Sequence, residues 1–180
     1  MGSESIFELN CVTMAGLKKL TLTPFFLALP FAALAYDING VGLGARELDV
    51  RKTFPGAHCK ALEWRTDAAD RRCDDARIPL GGVQAKVTFY LKAGVIQAFD
   101  LRFDTRDLER VKSQLRSRWG APLSEVTETI VRGSRDERKV FKMRWEKGAE
   151  HAVLTAQLER KRASLEAARG NFFDEIYRVR

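Results

Sequence analysis

The sequence predicts an α+β fold: an antiparallel β-sheet with two helices, built from two helix-plus-strands units. Three observations carry this. Val83, Ala85, Val87, Phe89 and Leu91 alternate with Gln84, Lys86, Thr88, Tyr90 and Lys92, and Val95, Phe99, Leu101 and Phe103 return after Ala93-Gly94. A period of two on either side of a glycine turn marks a hairpin with one buried face. Next, Leu108, Val111, Leu115 and Trp119 form a helical stripe, which Gly120 and Pro122 end. Finally, the two halves rhyme. A helical stretch leads into Phe54-Pro55-Gly56-Ala57 in one and into Trp119-Gly120-Ala121-Pro122 in the other, each followed by strands.

In chain order, residues 14–35 read as a cleavable signal peptide. Lys18 and Lys19 precede an apolar run over 20–34 that closes on Ala33-Leu34-Ala35. A charged start, an apolar stretch and a small-x-small site are the parts of an export signal. The run is shorter than the roughly 18 apolar residues of a membrane span, and Pro24 and Pro30 interrupt it. Cleavage after Ala35 therefore leaves no transmembrane anchor. Glu4 and Glu8 have the wrong sign for such a start, so residues 1–13 read as an over-extended beginning, with Met14 as initiator. Cys11 lies upstream of the apolar run and behind Glu8-Leu9-Asn10, which is no lipobox. The expected location is the periplasm, with 36–180 as a single α+β domain.

The chain carries 31 Lys and Arg against 24 Asp and Glu, a net charge of +7. Losing Lys18, Lys19, Glu4 and Glu8 leaves that balance unchanged. In a cytosolic protein it would suggest nucleic acid. An exported protein meets other polyanions, so the expected partner is an acidic envelope protein or an anionic envelope component. Cys59 and Cys73 are the cysteines that remain. In an oxidising compartment two such residues pair. The loop of about 15 residues they close stabilises by about 3 kcal/mol in the chain-entropy model. A redox pair would call for C-x-x-C spacing instead.

Ahead of the central hairpin, Ile38, Val41 and Leu43 offer a short opening strand among Gly40, Gly42 and Gly44. A helix over about residues 46–53 points Leu48 and Phe54 inward and stops at Pro55-Gly56. Residues 60–65 return as a strand bearing Leu62 and Trp64, and 66–76 form a polar loop. Asp104 or Thr105 caps the central helix. Strands follow at 126–131, 139–146 and 152–158, with turns at 133–137 and Gly148. Residues 157–168 have helical composition, yet Lys161-Arg162 falls where a stripe from Leu158 to Leu165 would continue; the expectation is strand, turn, strand. Phe172, Phe173, Ile176 and Val179 form an apolar tail that packs back on the sheet.

The stretch Gly42-Leu43-Gly44-Ala45-Arg46-Glu47-Leu48-Asp49-Val50-Arg51-Lys52-Thr53-Phe54-Pro55 resembles the unit-opening helix of small periplasmic envelope proteins of the BamE (SmpA/OmlA) and β-lactamase-inhibitor-protein type. That resemblance implies repeated helix-plus-antiparallel-strand units and either a binding role in the envelope or inhibition of another enzyme.

No motif assigns a catalytic, cofactor-binding or metal residue. Gly40-x-Gly42-x-Gly44 lacks the preceding buried strand of a dinucleotide loop and reads as a flexible N-terminus. Asp67, Asp70, Asp74 and Asp75 lack EF-hand spacing, and Arg71 and Arg72 interleave with them. His58 and His151 belong to no H-E-x-x-H motif, and no Ser stands in G-x-S-x-G or S-x-x-K context. Asp100 and Asp104 share a strand face and look outward, with Arg102 between them. The candidate binding face is basic: Lys142 and Arg144 on the outside of one strand, joined by Arg138, Arg160 and Arg162. Interspersed glutamates such as Glu146 and Glu166 could pair with these across strands. The expectation is a non-enzymatic exported protein that binds an acidic partner. A small periplasmic enzyme with a dispersed site, or a proteinaceous enzyme inhibitor, is the alternative.

Overall fold

The computed structural model describes residues 36–64, 66–132 and 136–178. The expected signal peptide, the start at Met14, Cys11, residues 133–135 of the expected 133–137 turn and Val179 of the apolar tail lie outside the described residues; residues 136 and 137 are strand rather than turn. The elements are β1 (Asp37–Ile38), β2 (Val41–Gly42), α1 (Glu47–Thr53), β3 (His58–Ala61), β4 (Arg71–Leu80), β5 (Val83–Lys92) and β6 (Val95–Phe103). They continue with α2 (Leu108–Trp119), β7 (Ser124–Arg132), β8 (Asp136–Lys147), β9 (Glu150–Gln157), β10 (Arg162–Arg169) and α3 (Phe172–Arg178). Strands β3 to β10 form one antiparallel sheet in the order β3-β4-β5-β6-β10-β9-β8-β7, and β1 pairs with β2 alone.

This corrects the expected α+β fold of two helices in two helix-plus-strands units. The described chain is mostly β, an eight-stranded and a two-stranded sheet with three short helices. Ladder partners account for the difference. The polar stretch from Arg71, expected as loop, is strand because Arg72 faces Tyr90 and Cys73 faces Phe89 on β5; a pairing edge overrides weak strand propensity. Beyond a 3-10 turn at Leu158–Arg160, the chain turns at Lys161, with φ 51°, and Arg162–Arg169 pairs with both β6 and β9. The third helix, α3, forms from the apolar tail.

Register builds the core in rows, because cross-strand partners share a face. Val87, Leu101, Leu165, Leu154 and Met143 lie side by side across five strands. Phe89, Phe99, Ala167, Ala152 and Trp145 form the next row. All ten are buried. Helix α2 lays Leu108, Val111 and Leu115 into the same cluster. Asp104 caps the 3-10 turn Thr105–Asp107 that leads into it, Oδ1 accepting the Arg106 N–H at 2.9 Å, while Asp107 at the start of α2 itself makes no side-chain cap. The helix ends at Gly120, φ +87°.

Helix α1 differs from the expectation in phase. Leu48 is exposed, and Val50 is the residue buried, with Phe54 packing 5.4 Å from Phe89. Seven residues make too few turns to define a stripe. The opening glycines are ordered rather than flexible: Asn39 and Gly40, both at positive φ, make the two-residue turn of a primed hairpin between β1 and β2. At Gly42 a Cβ would run into the Tyr36 carbonyl oxygen. The disulfide Cys59–Cys73 joins β3 to β4 between directly opposed residues.

Candidate functional site

The outer face of the sheet falls into bands, again through register. Tyr90, Ala98 and Ala168 make an apolar band. Helix α3 covers it with Phe172 and Ile176, and Phe172 lies 5.4 Å from Tyr90. Next comes Thr88, Asp100, Glu166, Val153 and Arg144, with two acidic residues directly opposed on β6 and β10. The third band is Lys86, Arg102, Ser164, Thr155 and Lys142. At about 4.8 Å per strand, it lines up three cations over about 19 Å. Asp100 and Glu166 of the second band and Lys86, Arg102, Ser164 and Thr155 of the third floor a groove of about 860 Å³, rimmed by Arg77, Lys161 and Arg162, with Tyr177 of α3 on its wall.

Two acids hold the floor. Asp100 is 6% exposed; its Oδ2 accepts from Arg102 Nε at 2.9 Å, and its Oδ1 is buried without a partner. Asp100 thus lies on the outer face, as expected, but is buried there; Asp104 is spent on the cap and on Arg106 at 3.1 Å. Opposite Asp100, Glu166 accepts from the Tyr177 hydroxyl at 2.5 Å. Burial pushes the Glu166 carboxyl above its ordinary range, the Asp100 charge adds to this, and the Tyr177 bond opposes it. Burial and the same bond push the Tyr177 hydroxyl up as well. The pair is thus built to hold a proton beneath α3.

A proton held more tightly by the folded than by the unfolded chain has a defined sign. Stability falls as pH rises from the ordinary carboxylate value, about 4.3, through the raised folded value. Glu166→Gln keeps an oxygen for Tyr177 and removes the titration. The variant is expected to match the wild type in acid, near about pH 4, and to exceed its stability at neutral pH. Urea denaturation at both pH values checks this; an equal difference at both would mean Glu166 does not carry a raised value.

The predicted binding residues part company here. Lys142 and Arg144 do face outward, but Glu128 holds Lys142 at 2.8 Å and Glu146 holds Arg144. Arg160 stands in the 3-10 turn, and Arg138 is half-buried on β8. Arg162 lies at the groove rim, where Arg77, Lys86 and Lys161 join it. Sequence reasoning missed Arg77 and Lys86 because they belong to the other half of the sheet.

The remaining polar candidates are occupied elsewhere. Asp70 accepts from the Ala93 N–H at 2.9 Å, Asp74 from Thr88 at 2.8 Å and Asp75 from the Arg77 N–H at 3.0 Å. His58 and His151 sit on β3 and β9, with four strands between. Among the described residues, one cluster has metal-ligand types, Glu47 with Cys59 and Cys73, whose ligand atoms lie within 4.8 Å. Both sulfurs are in the disulfide, and Glu47 is held by Arg51 at 2.7 Å and Arg71 at 2.9 Å. In the same residues no helix is long and apolar enough to cross a membrane. Set against known proteins, the chain matches no family model, no curated protein and no solved structure.

Proposed function

We propose that this is an exported, non-enzymatic binding protein of the cell envelope, whose acidic partner lies along the groove on the outer sheet face. One observation carries the reading. Arg77, Lys86, Lys161 and Arg162 line the groove, and among the described residues none of them makes an ion pair. Several cations elsewhere are matched, as Arg169 is by Glu150 and Arg118 by Asp37; others among the described residues, such as Lys92 and Arg110, are unpaired too, but these four share one groove. Unmatched charge in a concave place attracts an oppositely charged partner more strongly than the same charge on a convex surface. The unpaired Lys86, Lys161 and Arg162 suit an acidic segment laid along the groove. The disulfide supports an oxidising compartment. The likeness of residues 42–55 to envelope proteins points the same way.

Lys86→Glu with Arg162→Glu tests the site. Both side chains are exposed, so the fold should survive. Capture of an acidic partner from envelope extract should fail for this variant. For the wild type it should fade with salt, since screening shortens from about 10 Å at 0.1 M to about 3 Å at 1 M. Lys142→Glu with Arg144→Glu should do less, because those cations are already held. A Lys86→Glu, Arg162→Glu protein that keeps every partner at low salt would remove the groove from the proposal. Export is tested separately: protein from the periplasmic fraction should begin at Tyr36, and an intact chain in the cytosol would end that part of the reading.

A further inference from the structure

We propose that the open edge of the sheet at β7 is a self-association surface, on which a second copy of this chain docks antiparallel through its own β7. The sheet ends in two unlike edges. At one, β3 has four residues and is stapled to β4 by the disulfide. At the other, β7 has nine residues and bonds to β8 alone. Its residues 124–131 are all exposed. Four of the seven exposed large hydrophobics of the described residues, Leu123, Val126, Ile130 and Val131, lie on or beside it. Apolar surface is therefore concentrated on the one long strand whose outward N–H and C=O groups also lack a ladder. Natural edges are blunted by inward-pointing charge, and also by proline, lysine or a bulge. Glu125 supplies the first device here, although Lys112 at 3.1 Å and Arg116 neutralise it. The run Ser124–Arg132 contains neither proline nor lysine, and its register with β8 is unbroken.

The pattern of β7 is self-complementary, and this selects a second copy as the occupant. A two-fold axis perpendicular to the sheet keeps outer faces on one side and pairs residues symmetrically about its centre. With the axis at Glu128, Val126 meets Ile130 of the second copy, and Thr127 meets Thr129. Aliphatic thus faces aliphatic and hydroxyl faces hydroxyl, both favourable cross-strand pairs. At the axis the two Glu128 carboxylates approach, each held by its own Lys142 Nζ at 2.8 Å. The four charges sum to zero, but the two carboxylates are directly opposed like charges, a cost that the flanking lysines reduce and that keeps the contact weak. The contact joins two eight-stranded sheets edge to edge and leaves both grooves open. A single strand edge buries less than the roughly 1,600 Å² of a standard interface, so the dimer is a weak one that dissociates on dilution.

Sedimentation velocity of the full chain over a concentration series, with hydrogen–deuterium exchange of residues 124–132, tests the proposal. The expected result is a monomer–dimer equilibrium in which exchange at β7 slows as concentration rises. Val126→Asp with Ile130→Asp changes side chains that are 44% and 41% exposed. It should raise the dissociation constant about tenfold or more by replacing both apolar pairs with charge. Circular dichroism checks that the variant folds; if it does not, the wild-type exchange measurement decides alone. A wild type that stays monomeric, exchange at β7 indifferent to concentration, or a folded variant that dimerises as well as the wild type would each overturn the proposal.

Discussion

Trp145→Ala is expected to lower the unfolding free energy by about 3–5 kcal/mol, the range for a large aromatic removed from a core. Trp145 is 3% exposed and ends the core row that begins at Phe89. Its ring meets Trp119 edge-on at 5.5 Å, and Trp119 in turn meets Tyr36 at 5.0 Å. Its indole N–H donates to the Gly120 carbonyl at 3.0 Å. One side chain therefore fastens the end of α2 and the start of the described chain to the sheet. Its neighbour across the ladder is Ala152, too small to fill the space left behind. Trp145→Phe should lose only part of this, since it keeps most of the volume but cannot donate to Gly120. Urea denaturation measures both. A loss within about 0.5 kcal/mol, the size of an ordinary surface substitution, would mean that the ring is not packed as described.

Breaking the disulfide, by reduction or by Cys59→Ala with Cys73→Ala, is expected to cost about 2–5 kcal/mol. Cys73 is fully buried, whereas β3 is a short edge strand whose side chains are otherwise exposed or half-buried. Little else holds His58–Ala61 in place. Reduction should therefore free β3 first, so that amide exchange at 58–61 rises before the rest of the sheet opens. Glu47 moderates the loss. Its carboxylate is held below the usual range by the Arg71 and Arg51 hydrogen bonds and ties α1 to β4 independently of the sulfurs. Equal urea midpoints with and without reductant would show that the bond adds nothing to the folded state.

Much of this was legible in spacing alone. The alternation around Phe89, Phe99 and Met143 assigns each side chain to a face, and the structure buries those residues as the period requires. Gly120 ends α2 because glycine takes a positive φ without strain, and this is visible in one dimension. The cysteine pairing followed from there being two candidates in 36–180. Such features depend on a residue and its near neighbours.

Strand order and register decided the rest. Asp100 and Glu166 both read as outward-facing, and nothing in either stretch says that they meet. They do so because β6 pairs with β10 across 58 intervening residues, between Phe103 and Arg162. The same join sets Arg102 beside Ser164 and brings Lys86 into one groove with Arg162. Whether a lysine is matched or unmatched is likewise a register fact: Lys142 is neutralised because β7 places Glu128 within reach. Helix α3 took its position from the bare apolar band of Tyr90, Ala98 and Ala168, a surface that does not exist until three strands are side by side. Side-chain alternation is local, so the sequence determines faces and turns. The pairing of distant strands is chosen by contacts summed over the whole sheet, and only the tertiary structure reveals which charges that choice brings together.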